Sequence, residues 1–108
     1  MNATDAAVVY VTAPNEDEAV KIARAVVGEG LAGCVNIVKG IRSIYLWKGK
    51  IEDDAEVLMI IKTDASLFRR LAARVKELHS YTVPEVIALP VLDGSEDYLA
   101  WLKEVTTR

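Results

Sequence analysis

The stretch CVNIVKGIRSIYLWKGKIEDDAEVLMIIKT, residues 34–63, decides the fold of this chain. Its first half, residues 34–47, is rich in β-branched and aromatic residues, which favour strands, and its second half, residues 50–63, contains the apolar run VLMII. The Lys48-Gly49 pair between them is a hairpin turn signal. The stretch therefore predicts a hairpin of two long strands, 34–47 and 50–63. With about 14 residues at ~3.3 Å each, one arm should be roughly 45 Å long.

A hairpin of that length is too long for the domain that carries it. A compact chain of 108 residues has a radius of gyration of ~13 Å and hence a diameter of about 35 Å. The hairpin tip should therefore overhang its own domain and expose strand edges and apolar side chains. Because exposed edges invite pairing with another chain, we expect an oligomer. Gly40 suggests a bulge or bend within the first arm.

The segment before the hairpin predicts a strand followed by a helix. VVYVTA, residues 8–13, is short, apolar and β-branched, and Pro14 stops it. Asn15 is placed to cap a helix, with Glu18 as the return acceptor of a capping box. Apolar residues then follow at helical spacing as far as Gly30, which predicts the helix C-terminus.

The segment after the hairpin predicts a helix over 66–78, a strand over 83–91 and a last helix capped by Ser95. Pro90 cannot donate to a strand ladder, so it predicts an edge or a bulge. The order is β-α-β-β-α-β plus a terminal helix. This order indicates an α+β, ferredoxin-like domain spanning residues 1–108, with a four-stranded antiparallel sheet and two helices on one face.

Composition excludes several classes of partner. The chain has 13 basic and 16 acidic side chains and a net charge of −3, which gives no support to binding of nucleic acid or of an anionic membrane surface. Its longest apolar run, Val86 to Leu92, is far too short to span a bilayer. No basic segment precedes the first apolar run, and a single cysteine cannot form an internal disulfide. We therefore expect a cytoplasmic protein.

Six short segments carry a resemblance to a known family. The chain resembles the CutA family, the divalent-cation-tolerance proteins, from Val8 to Thr106. The matching segments are TAP at 12–14, CVNI at 34–37, SIYLWKGKI at 43–51, IKT at 61–63, HSYTVPEVIALPV at 79–91 and YLAWL at 98–102. Six segments in the right order and spacing are far more specific than any one of them.

The resemblance implies a homotrimer in which long hairpins complete sheets across subunits, and an association with copper and other divalent cations. The trimer of the family is similar to that of the PII signalling proteins, and the resemblance implies no enzymatic reaction. The chain departs from the family where His79-Ser80-Tyr81 replaces the frequent His-Pro-Tyr. Val11 and Leu78 also stand where some bacterial members have a cysteine and a second histidine, so their fuller copper ligand set does not carry over.

Three side chains are candidate metal ligands. His79 suits copper, zinc or nickel, but it also suits a helix C-cap. Cys34 would be a soft ligand for Cu(I), or else a small buried hydrophobe. Glu85 would be a ligand, a partner for Lys62 or a solvated charge. One Cys and one His per chain do not complete a tetrahedral site, so a metal would need ligands across a subunit interface or at a three-fold axis.

A ligand cleft between subunits is the second expectation. His79, Tyr81 and Glu85 should be partly exposed on one wall of it. Tyr45 and Trp47 would come from a neighbouring hairpin, and Lys62 and Trp101 would add a positive charge and an aromatic ring. The residues expected at this cleft are therefore His79, Tyr81, Glu85, Tyr45, Trp47, Lys62 and Trp101. Its aromatics are equally suited to core or subunit packing.

Enzymatic readings have little support. GEGLAG, residues 28–33, lacks the residues and the preceding strand of a phosphate-binding loop. A Cys34–His79 dyad has no third orienting group. The leading hypothesis is a non-enzymatic homotrimer that binds divalent cations, copper above all, in metal tolerance. The alternatives are a PII-like trimer that binds a small ligand and signals, and a purely structural assembly.

Overall fold

The computed structural model describes residues 4–106. Within these residues, four strands and three α-helices follow one another in the order that the sequence predicts. They are β1 (Ala6–Ala13), α1 (Glu16–Gly28), β2 (Cys34–Trp47), β3 (Lys50–Asp64), α2 (Phe68–Leu78), β4 (Val86–Pro90) and α3 (Glu96–Thr106). The strands form one antiparallel sheet in the order β2-β3-β1-β4. The ferredoxin-like prediction is confirmed.

The core lies between one face of this sheet and the helices α1 and α2. Alternate residues of the two central strands point to it, as the two-residue period of a strand requires. The buried cluster consists of Val9, Val11, Ala13, Val57, Met59 and Ile61 from β1 and β3; Ala19, Ile22 and Val26 from α1; Leu71 and Val75 from α2; and Leu31 and Ala32 from the α1–β2 connection. Fixing both central strands against two helices holds the base of the hairpin rigid.

The hairpin has the turn and the bulge that its sequence predicts. Lys48 and Gly49 both have positive φ, 50° and 79°, which is the backbone of a two-residue hairpin turn. The β2–β3 register shifts between Val38 and Ile41. Gly40 has φ +77° at this shift, a conformation that glycine adopts without steric cost. The bulge therefore bends the outer half of the hairpin relative to the sheet.

The outer half of the hairpin overhangs the domain, as expected. β1 pairs with β3 only from Ala13 opposite Val57 to Ala6 opposite Asp64. Residues 50–56 of β3 therefore have a partner on the β2 side alone. The longest dimension of the molecule is 44 Å, which agrees with the arm length expected from the sequence.

Three local predictions need correction. Asn15 caps α1, since its Oδ1 accepts the N–H of Glu18 at 2.8 Å, but the Glu18 carboxylate turns away from α1 and accepts from Ser80 instead. The second helix begins at Phe68 rather than 66, because Asp64 caps a short 3₁₀ turn over Ala65–Leu67.

The fourth strand is also shorter than predicted. It spans Val86–Pro90 rather than 83–91, because its pairing with β1 ends at Val11 opposite Val86. Val83 and Glu85 instead line a cleft. Pro90 lies on the strand at the sheet edge, where a missing N–H does little harm, as the sequence predicted.

Candidate functional site: an acidic, aromatic cleft

A cleft lies beside the outer half of β3, at the point where β1 has left the sheet. Its volume is about 720 Å³, within the size range of small-molecule sites. The hairpin forms one wall and the connection between α2 and β4 forms the other. The lining residues are Thr12, Ser43, Ile44, Tyr45, Trp47, Glu56, Ser80, Tyr81, Thr82, Val83 and Glu85.

Tyr81 and Glu56 join the two walls. The Tyr81 hydroxyl donates to the Glu56 Oε2 at 2.8 Å. Glu56 is only 6% exposed, although it is a carboxylate. Burial and the adjacent Glu56 carboxylate raise the pKa of Tyr81 well above its ordinary value, so its hydroxyl keeps its proton at neutral pH. The α2–β4 connection is thereby fastened to the hairpin.

Tyr45 makes the matching contact on the hairpin itself. Its hydroxyl donates to the Asp54 Oδ2 at 2.5 Å across the two arms. The hydrogen bond to Asp54, burial and the charges of Asp54, Glu56 and Glu52 raise the pKa of Tyr45 to about 12. Both tyrosines thus present neutral rings to the cleft and direct their hydroxyl protons to carboxylates.

The other charged group of the cleft is acidic as well. Glu85, an exposed residue, lines it beside Val83. Among the described lining residues there is no lysine, arginine or histidine. Trp47 completes the aromatic wall, and the Nζ of Lys48 lies 5.6 Å from the centre of its ring. The cleft therefore combines negative charge with aromatic surface.

His79 lies behind this wall rather than in it. Its imidazole is fully buried, so the expectation that His79 is partly exposed is wrong, whereas Tyr81 and Glu85 are partly exposed as expected. The His79 Nδ1 accepts the N–H of Tyr81 at 3.1 Å, and its Nε2 lies 2.7 Å from the carbonyl oxygen of Thr12. Because Nδ1 accepts a hydrogen bond, the ring proton is on Nε2, and the Nε2–H donates a hydrogen bond to the carbonyl oxygen of Thr12.

His79 is also the C-cap residue of α2, although its imidazole hydrogen-bonds to the carbonyl of Thr12 rather than to the free carbonyls of the helix. Its backbone N–H donates to the carbonyl of Val75 at 2.9 Å, and its φ and ψ of −83° and 142° turn the chain out of the helix. The Glu18 Oε2 lies 3.3 Å from Nδ1 and accepts from Ser80. The imidazole thus joins β1, α1 and the α2–β4 connection, which positions Tyr81 over Glu56.

Three of the predicted site residues lie together elsewhere. Cys34, Lys62 and Trp101 are at the opposite end of β3, about six residues or ~20 Å along the strand from Glu56. The Lys62 Nζ is 4.0 Å from the Cys34 Sγ, and Trp101 packs against Tyr98 with ring centres 5.5 Å apart. In the described chain neither Lys62 nor Trp101 lines the cleft.

The predicted metal ligands do not meet in one chain. Cys34 pairs at the level of Val8, whereas His79 contacts Thr12, four residues along β1. Both ring nitrogens of His79 are already hydrogen-bonded. No group of three or more His, Cys, Asp and Glu residues capable of holding a metal exists within residues 4–106. A site from His79, Cys34 and Glu85 of one chain therefore does not fit this structure.

Sequence reasoning missed Glu56, the most buried carboxylate of the cleft. The sequence does contain a signal, because Glu56 directly precedes the apolar run Val57 to Ile61 within a strand. A carboxylate that directly precedes buried apolar residues of the same strand lies close to the core, so its burial is expected. The depth of its burial, however, depends on Tyr81 closing over it from 25 residues away.

The fold and the cleft define a class: an α+β protein with a ferredoxin-like sheet, an overhanging hairpin and an acidic, aromatic cleft at the hairpin base. The family described as CutA1 divalent ion tolerance protein matches residues 7–105. The chain belongs to this family.

Individual relatives agree with that assignment. The divalent-cation tolerance protein CutA of Thermus thermophilus is 52% identical over 99 residues, covering 92% of this chain and 96% of the relative. The crystal structure of CutA1 from Oryza sativa superposes with a TM-score of 0.93 at 50% identity, covering 98% of this chain and 97% of that one. The chloroplastic protein CutA of Arabidopsis thaliana is 54% identical over 99 residues, covering 92% of this chain but 54% of the relative. The chain thus spans only about half the length of that plant relative.

Proposed function

We propose that the chain acts as a non-enzymatic homotrimer in tolerance of divalent cations. The family assignment supports the cation role. The observation that carries the trimer is the overhanging hairpin, whose tip exposes large aliphatic side chains. Ile44, Leu46 and Ile51 are 65%, 71% and 77% exposed, and such a surface is typical of an interface rather than of a free monomer.

Further apolar surface lies where a trimer would need it. Ile87 and Leu89 of β4 are 51% and 45% exposed, and β4 and β2 are the two edges of the sheet. An overhanging arm of one subunit that pairs with the edge of the next is a head-to-tail contact, which closes into a ring when the rotation allows it. Three copies are the number that the family resemblance implies.

The assembly is tested by mass. Light scattering of the purified chain in dilute neutral buffer should give about three times the chain mass of 11.8 kDa. Dilution over two orders of magnitude should leave that mass unchanged, since the proposed contacts bury several large aliphatic side chains per subunit. A stable monomer would contradict the proposal.

Copper remains the cation to test first, and its site has to be completed between chains. One chain holds its candidate ligands apart and uses both His79 nitrogens internally. Cys34 and Glu85 are at least partly accessible, so they are the described candidates that can meet ligands from another subunit. Thiolate prefers Cu(I) and carboxylate prefers harder cations.

A copper titration separates a shared site from incidental binding. Calorimetry with Cu(II) and a competing chelator should show a site in the trimer, and Cu(I) binding should weaken on Cys34→Ser. A monomeric double variant, Leu46→Glu with Ile51→Arg, should lose the site because the ligands no longer meet. Copper binding of equal strength in the monomer would overturn the shared site.

The cleft favours a second function of a different class, the PII-like binding of a small ligand that a partner protein detects.

Cytoplasmic location stays a prediction, since one relative is described as chloroplastic. Of the helices within residues 4–106, none has both the length and the apolarity needed to cross a membrane.

A further inference from the structure

The buried carboxylate of Glu56 lacks a positive partner. The Glu56 side chain accepts one hydrogen bond, from the Tyr81 hydroxyl, and none of the ion pairs within residues 4–106 includes it. Acidic side chains are almost never fully buried unless they are paired. A neutral hydroxyl compensates only part of the cost of removing a charge from water. Among the described residues of one chain, the Glu56 carboxylate therefore has a neutral hydroxyl as its hydrogen-bond donor and no cationic partner.

The Glu56 carboxylate lines the cleft, and further carboxylates add to the negative charge there. Glu56 and Glu85 both line the cleft, and Asp54 lies behind Tyr45. Lys48 lies over the ring of Trp47 but does not line the cavity. The electrostatic potential inside the cleft is therefore negative, and a cation entering it would meet attraction without displacing a lysine or arginine.

The shape and surface of the cleft suit an organic cation rather than a bare metal ion. A volume of about 720 Å³ is far larger than one ion needs. The rings of Tyr45, Trp47 and Tyr81 provide apolar and π-electron surface, which attracts ammonium groups and packs against hydrocarbon. A divalent metal would need three or more ligands converging on one point, and the described residues contain no such group.

We propose that this cleft binds a small organic cation: an ammonium group carried on an aromatic or apolar body. The ammonium contacts Glu56, with Glu85 adding long-range attraction, and the body packs between Trp47 and the two tyrosines. The Tyr81 and Tyr45 hydroxyls hold the carboxylates in place. The proposal goes beyond the role in cation tolerance, and it gives a chemical class to the small ligand that the cleft favours.

The test uses three probes that share a phenyl ring and a similar size and differ in charge. Calorimetry of the intact trimer at neutral pH and moderate salt compares benzylammonium, benzyl alcohol and benzoate. Benzylammonium should bind at least tenfold more tightly than benzyl alcohol, and benzoate should bind most weakly because the cleft repels it. Benzylammonium should also quench or shift the fluorescence of Trp47, with Trp47→Phe identifying that signal against Trp101.

Single-charge variants then locate the binding. Glu56→Gln keeps an oxygen that accepts from Tyr81 but removes the charge, so it should weaken benzylammonium binding at least tenfold and leave benzyl alcohol unchanged. Glu96→Gln, at an exposed position in the first turn of α3, removes the same charge outside the cleft and should change neither affinity. Light scattering confirms the trimer in each variant.

Several results would overturn the proposal. Equal affinity for all three probes, or no binding by an intact trimer, would remove the cation site while leaving the trimer and the cation-tolerance role untouched. If Glu56→Gln dissociates the trimer, the missing counter-ion is a basic side chain of a neighbouring subunit and not a free ligand. Unaltered benzylammonium binding in Glu56→Gln would place the cation elsewhere.

Discussion

His79→Ala should lower the free energy of unfolding by about 3 kcal/mol. The variant leaves the carbonyl of Thr12 and the N–H of Tyr81 without their partners, at roughly 1–3 kcal/mol for each buried polar group. It also creates a cavity, since the imidazole is fully buried, and the cavity adds to the loss. Chemical denaturation at a fixed protein concentration measures the difference, because the stability of an oligomer depends on concentration.

Conservative replacements separate the two hydrogen bonds. An asparagine at position 79 places an oxygen near the position of Nδ1 and should keep the contact with Tyr81, so His79→Asn should recover part of the loss. Lys76→Ala, on the exposed side of the last turn of α2, should change the free energy of unfolding by less than about 0.5 kcal/mol. Since the chain has one histidine, its imidazole nitrogen resonances also report directly on the expected Nε2–H tautomer.

The same variant decides between a structural and a metal-binding histidine. With both nitrogens bonded internally, His79→Ala should leave Cu(II) affinity of the refolded trimer within about twofold of wild type. An unchanged free energy of unfolding together with a copper affinity reduced tenfold or more would show that His79 is a ligand. The sequence alone left both readings open, because a histidine after a helix suits a cap and a metal equally.

Local sequence signals predicted the fold because each is short-range. The Lys48-Gly49 turn and the bulge at Gly40 follow from backbone conformations that few residues adopt. The length of the hairpin then required an overhang, which the pairing of β1 with β3 confirms. Strand ends were less predictable: β4 begins at Val86 because its pairing with β1 ends at Val11, a tertiary contact that residues 83–85 do not encode.

The cleft was only partly predictable for the same reason. Tyr45, Trp47, Tyr81 and Glu85 all line it, but Tyr45 and Trp47 come from the hairpin of the same chain, whereas the sequence led us to expect them from a neighbouring one. Its charge, however, is opposite to the one expected from Lys62. Lys62 lies at the far end of the same strand, beside Cys34, and the sequence gives no register that would bring it to the cleft.

The double variant Leu46→Glu with Ile51→Arg should convert the trimer to a monomer. Leu46 and Ile51 lie directly opposite each other at the hairpin tip. Each side chain contributes roughly 1.5–3 kcal/mol when an interface buries it, and a charged replacement would have to be desolvated as well. We therefore expect the dissociation constant to rise on the order of a thousandfold or more, which is about 4 kcal/mol.

The design of this variant keeps the hairpin itself intact. Opposite charges on directly paired residues stabilise an antiparallel ladder, so the arms should stay together in the monomer while the tip becomes hydrophilic. Lys21→Gln, on the exposed side of α1, is the control and should remain trimeric. Light scattering gives the mass, and circular dichroism confirms that the sheet is retained. A double variant that stays trimeric with a folded hairpin would show that the tip lies outside the interface. Assembly would then have to rest on the β4 edge, where Ile87 and Leu89 are exposed.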